Sequence, residues 1–248
     1  VNYANTKEGL GGSSPPSACF DGNEEVEMFF GKKKIKDIVV GDYIKGGHVT
    51  AKIFINPLSN VDVYKYRGVI VSGSHLVFHE GKWERVCDTN ESIKLNRPYA
   101  LYCLITSSNL ININNIMFRD YQETHNRRIN KIINTLVENQ CNNQMSNIQV
   151  LHSRPLYYWG FTGDTKIKVG NNFIPIKDIV KDGHYHHNIL GGVILNGINV
   201  DIYNLEGIKV SGNTLVYKNK KWIRVYSDIL AMPCKGESFI YNIFTSDN

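Results

Sequence analysis

The chain has 248 residues, 42% of them hydrophobic and 21% charged, with a formal net charge of +5. That length holds one large or two ordinary domains, and the balance excludes disordered, collagen-like and membrane-helix classes. The densest basic run, Lys32-Lys33-Lys34, is too short for a nucleic-acid patch and reads as a solvated turn face.

Residues 1–18 contain Gly11-Gly12-Ser13-Ser14-Pro15-Pro16, which is the composition of a flexible leader. The stretch from Val1 has neither a Met start nor a signal-peptide pattern. From Cys19 to about Leu110, short β-runs are broken by turn signals. Val26–Phe30 precedes Gly31, Ile35–Val40 precedes Gly41-Asp42, Val49–Ile55 precedes Asn56-Pro57, and Val61–Tyr66 precedes Arg67-Gly68. This spacing predicts an all-β, mostly antiparallel unit over 19–115. From Ile116 to about residue 140, apolar residues recur at spacings of three and four, which predicts one connecting helix. An Asn-rich linker follows, so that 116–158 joins the first unit to a second over 159–248.

The second unit repeats the first. Ile35-Lys36-Asp37-Ile38-Val39 aligns with Ile176-Lys177-Asp178-Ile179-Val180, and Cys19-Phe20-Asp21-Gly22 with Gly160-Phe161-Thr162-Gly163. Between Val61–Asp88 and Val200–Ser227, 13 of 28 positions are identical, including Val71-Ser72-Gly73 with Val210-Ser211-Gly212. Trp83 and Trp222 are duplicated and read as core or cover residues. Gly160 stands in place of Cys19, and Thr214 in place of His75.

Those two exchanged positions carry the chemistry. Cys19 heads a strand directly after the leader; Ser72 and His75 follow the β-run Val69-Ile70-Val71. A thiol, a hydroxyl and an imidazole brought together suit attack of the chain on its own backbone at the Ala18–Cys19 bond. A free thiol is only a few per cent thiolate at neutral pH, and an amide nitrogen leaves only when protonated, so proton transfer at fixed geometry is required.

The Cys19 block, the Ser72-to-His75 block and the later Tyr102-Cys103-Leu104-Ile105-Thr106 block resemble, in that order, those of the Hint family. This is the family of self-processing domains shared by inteins and hedgehog proteins. The likeness covers roughly residues 19–126, more weakly 160–248, and is greatest to the compact Hint proteins of large DNA viruses. It implies a horseshoe of short antiparallel strands, here duplicated. It also implies an N-to-S acyl shift in which Cys19 attacks the Ala18 carbonyl to give a thioester. His75 would protonate the departing nitrogen and Ser72 would polarise or strain the same bond. Cys103 stands where inteins carry an Asp or a Cys. His125-Asn126 matches the intein C-terminal pair, but Arg127 follows and is no nucleophile, so cleavage after Asn126, not ligation, is the implied reaction there.

The resemblance makes the flanking polypeptide the substrate and suggests protein partners in a larger assembly. No nucleic-acid or membrane partner is implied. Five cysteines at irregular spacing without a CxxC suggest neither a disulfide framework nor zinc. His184, His186 and His187 lack a nearby Cys or acidic cluster and read as a solvated loop, so no metal or cofactor is expected. A free Cys19 fits a reducing compartment or a virion. The alternative is a Hint-fold structural or interaction protein, part of a viral particle or larger assembly, that has lost turnover.

Overall fold

The computed structural model describes residues 18–57, 61–122, 159–182 and 189–245. In the first half the strands are β1 (Phe20–Asp21), β2 (Glu25–Glu27), β3 (Lys32–Lys34), β4 (Tyr43–Ile44), β5 (Gly47–Ile55), β6 (Val63–Tyr66), β7 (Val69–Ser72), β8 (Leu76–His79) and β9 (Lys82–Arg85). They continue with β10 (Ser92–Leu95), β11 (Leu101–Thr106), β12 (Leu110–Ile113) and β13 (Ile116–Arg119). The second half contributes β14 (Phe161–Thr162), β15 (Lys166–Val169), β16 (Asn172–Pro175), the helix α1 (Ile176–Asp182), β17 (Ile189–Asn196), β18 (Ile202–Leu205) and β19 (Ile208–Ser211). It closes with β20 (Leu215–Lys218), β21 (Lys221–Arg224), β22 (Met232–Cys234) and β23 (Phe239–Thr245). The described chain is therefore nearly all β, and its ladders are antiparallel. None of its helices is long and apolar enough to cross a membrane.

One large sheet runs in the order β10-β6-β7-β1-β11-β5-β17-β23-β14-β19-β18-β22, with β4 also on β5. The order has a centre. Outward from the β5–β17 seam, β11 answers β23, β1 answers β14, β7 answers β19, β6 answers β18, and β10 answers β22. Registers repeat as well: Phe20 pairs with Tyr102 and Val71, and Phe161 with Tyr241 and Val210. At the seam Ile53 pairs with Val193. The backbones approach closely there, since a Cβ on Gly191 would land on the Phe54 carbonyl oxygen. Glycine is what lets this strand pair lie flat together.

A second sheet, β3-β2-β12-β13-β8-β9, covers the first-half end of the large one. Between the two lies the main core. Phe20, Tyr66 and Phe118 are fully buried, and Phe118 meets Phe20 edge-on with ring centroids 5.0 Å apart. Each such side chain contributes about 1.5–3 kcal/mol of hydrophobic stabilisation.

Two expectations are corrected. Ile116–Arg119 is the strand β13, not the start of a helix. Asn114 and Asn115 both have positive φ, 51° and 60°, which is the backbone of a two-residue hairpin turn matching the twist of its strands. That turn folds β13 back onto β12, with Ile113 opposite Ile116. Residues 120–122 of the expected helix are also not helical, and the rest, from 123 on, lies outside the described residues. Ile35–Val40, read as a β-run, begins with a single 3-10 turn at Ile35–Asp37, whereas its repeat forms α1. Burial of Ile35, Ile38, Ile176 and Ile179 at spacings of three gives both copies the same inward face.

Candidate active site

Cys19 and Ser72 hold each other by two hydrogen bonds. The Cys19 N–H donates to Ser72 Oγ at 2.9 Å, and the Ser72 N–H donates to the Cys19 carbonyl at 2.8 Å. The pairing follows from register: β1 lies between β7 and β11, so the residue before Phe20 faces the end of β7. Ser72 therefore meets the amide of the bond that the sequence marks as scissile. Cys19, Ser72 and His75 are fully buried, and Ala18 nearly so.

His75 stands one turn beyond Ser72, its N–H bonded to the Ser72 carbonyl at 3.1 Å. Its ring packs on Phe20, centroids 4.3 Å apart, and edge-on to Phe118 at 5.5 Å. Nε2 lies 2.7 Å from the Arg119 carbonyl. A carbonyl only accepts, so Nε2 carries the proton and Nδ1 of the neutral ring is a bare acceptor. Nδ1 is buried and has no hydrogen-bond partner. Burial pulls the imidazole down to about 3, against the Arg119 hydrogen bond and with help from the Arg85 charge. His75 is thus an uncharged imidazole at neutral pH, a weaker base than a solvated one, aligned by β13.

The second half holds the same backbone with different side chains. The Gly160 N–H donates to Ser211 Oγ at 3.0 Å and to Thr214 Oγ1 at 2.9 Å, and the Ser211 N–H returns to the Gly160 carbonyl at 2.8 Å. At the position equivalent to His75 the second half thus carries a side chain that reaches the amide nitrogen, whereas His75 Nδ1 makes no hydrogen bond to the Cys19 N–H. Gly160 is fixed there by sterics: a Cβ on it would lie 2.5 Å from the Tyr241 carbonyl oxygen.

Cys103 is also brought in. Continuing the β1–β11 ladder one step past Phe20–Tyr102 sets Cys19 beside Cys103. The Cys103 thiol is fully buried, contacts Leu104 O at 3.6 Å and shares a hydrogen bond with Cys19. Burial, and then the Cys19 thiol, push it well above the ordinary range, so it remains a neutral thiol.

Next to these lies a buried cluster that sequence reasoning missed. Asp120, directly after β13, accepts the Thr106 N–H at 2.8 Å on Oδ2. Its Oδ1 takes Asn109 Nδ2 and the Gln122 N–H, each at 3.0 Å. Its charge is felt at Cys103. Thr106 is visible as the last residue of the Tyr102–Thr106 block; Asp120 carries no sequence signal, being one acid among others in a stretch whose spacing predicts a helix. The Arg119 carbonyl was equally invisible. Arg119 also places its guanidinium over Trp83, 4.2 Å from the ring centroid, so that this tryptophan covers β13.

His125 and Asn126 lie outside the described residues, as do His184, His186 and His187. The remaining four candidates, Cys19, Ser72, His75 and Cys103, are all fully buried and supply two thiols, a positioned amide and an uncharged imidazole. No protein-family model and no curated protein matches the chain.

Proposed function

We propose that the chain is a self-processing domain of Hint type, with a second, chemically silent copy, that rearranges its Ala18–Cys19 bond. The carrying observation is the buried, unpartnered Nδ1 of His75, three residues beyond the Ser72 that holds the Cys19 amide. An N-to-S shift is neutral in protons: the Cys19 thiol gives one up and the leaving nitrogen takes one. The sulfur bonds to the Ala18 carbonyl carbon, the carbon–nitrogen bond breaks, and a thioester with a free amine results. His75 suits this as a relay. Its bare Nδ1 first accepts the thiol proton, then returns it to the Cys19 nitrogen. The protonation of the departing nitrogen expected from the sequence is the second half of this relay; burial leaves the resting ring uncharged and weakens it as a base, so uptake of the thiol proton is concerted with attack.

Cys103, neutral and in contact with the Cys19 sulfur, steadies the nucleophile before attack. Water then hydrolyses the thioester, or a second nucleophile takes the acyl group. The matching strand order of the two halves, and their matching bonds at Cys19 and Gly160, support the duplication.

The scaffold reading draws on one observation: Ser211 makes the same bonds at Gly160, where no thiol exists, so these bonds also serve folding alone. Intact mass before and after incubation with dithiothreitol separates the two. Release of the segment ending at Ala18, as free acid or thiol adduct, supports self-processing. An unchanged mass, with the chain folded by circular dichroism, supports the scaffold.

A further inference from the structure

A cleft of about 410 Å³ lies across the β5–β17 seam. Its floor is Lys52 and Phe54 of β5, Tyr102 of β11, Ile194 of β17 and Tyr241 of β23. Side chains alternate across a sheet, so these face away from Ile53 and Cys103, and hence away from the site at Cys19. One wall is the segment after the 3-10 turn, Ile38 to Val40; the other is Val180 and Lys181 of α1. The cleft exists because the second copy builds a helix where the first has one turn.

The lining is apolar and aromatic except for Lys36, Lys52 and Lys181, and no Asp or Glu occurs among the described residues that line it. Lys52 sits deepest in charge terms. Its ammonium donates to the Lys36 carbonyl and lies 5.3 Å from the Tyr102 ring centroid. Burial lowers Lys52 to about 8, with Asp37 opposing that shift and Lys33 adding to it. A cation kept in a hydrophobic cleft of ligand size is stabilised by an anion that brings its own apolar body.

We propose that this cleft binds a small apolar anion, an alkyl or aryl chain ending in one carboxylate, with the carboxylate on Lys52 and the chain along Phe54, Ile194 and Tyr241. The site is separate from the one at Cys19 and does not depend on processing.

The test is calorimetric titration of the full chain at neutral pH with decanoate, decanol and decylamine, each below its micellar concentration, and with 2-naphthoate as the aryl arm. Either carboxylate should bind, and decanol and decylamine should bind more weakly. Lys52→Met keeps the apolar stem and should weaken the carboxylate about tenfold, the loss of one charge-assisted contact. Lys181→Met, at the exposed mouth, should weaken it less, and serves as the charge test if Lys52→Met melts differently from wild type. Equal binding of decanol and decanoate, no carboxylate binding, or carboxylate binding unmoved by removal of either lysine charge would overturn the proposal.

Discussion

Thr214 accepts the Gly160 N–H at 2.9 Å, in the position that His75 occupies relative to Cys19. Where the second copy completes this contact with a hydroxyl, the first leaves Nδ1 of His75 unpartnered. The difference predicts what each side chain does when changed.

Cys19→Ala should yield only uncleaved chain, because the Cys19 thiol reaches the Ala18 carbonyl carbon through a five-membered ring within the chain itself. His75→Ala should slow cleavage by on the order of 10²- to 10⁴-fold, the usual contribution of a positioned acid–base group. Thr214→Ala should leave the rate at its wild-type value. A mass-spectrometric time course measures all three, and wild-type cleavage by the Cys19 variant would remove the thioester route.

Acid should destabilise the fold through His75. In the unfolded chain its pKa is about 6.5, and in the folded chain about 3. Between these values the unfolded state binds the extra proton, so stability is full above ~pH 6.5 and is lost as pH falls towards ~3. Urea midpoints of wild type and His75→Gln at about pH 5 and 7 test this: the wild type should lose more on acidification than the variant. Parallel losses would mean that other groups govern the response.

Asp120→Asn should cost about 1–3 kcal/mol in urea unfolding. Both carboxylate oxygens accept protons from fixed donors, Thr106 N–H and Asn109 Nδ2. An amide replaces one acceptor with a donor that faces another donor. Cleavage should fall too, since Asp120 ties the end of β13, which carries the Arg119 carbonyl, to β11.

Gly160→Cys should not create a second processing site. Its Cβ would meet the Tyr241 carbonyl at 2.5 Å, so the variant should unfold at lower urea and show no cleavage at the Trp159–Gly160 bond. Efficient cleavage there would show that the backbone yields easily.

Diamide should join Cys19 to Cys103. The two are cross-strand neighbours and their thiols already touch. The disulfide, detected as the loss of two hydrogens and by peptide mapping, should halt thiol-dependent cleavage until dithiothreitol restores it. Cleavage that continues undiminished in the crosslinked protein would argue against Cys19 as the nucleophile.

Much of this arrangement was legible in the residues. Val71-Ser72-Gly73 and its repeat mark the strand end that meets Cys19, and short β-runs bounded by turn signals mark β5, β6 and β7. The losses have local causes. Asn114-Asn115 is a hairpin signal, but apolar residues on both faces of β13 happen to fall at helical spacing. Asp120 matters through Thr106 and Asn109, contacts made only after that hairpin closes. Ile35–Asp37 and Ile176–Asp178 have the same sequence yet differ in helix length: Gly41, at a φ of 101°, follows the first, whereas Lys181 and Asp182 extend the second, and both segments line the cleft.

The β5–β17 seam has one more consequence. Ile53 faces Val193, its own counterpart, so the two edges are related as the two sides of an isologous contact. An edge that pairs with its own likeness can be offered to the same edge of another molecule, less closely here because Ala51 and Lys52 stand where β17 has Gly191 and Gly192. Residues 19–122 made alone would expose β5 as an open template, and the economical way to close it is dimerisation through that strand. The covalent link between the halves thus acts as a concentration device: it supplies the matching edge within the same chain, so that closure no longer depends on how many copies are present.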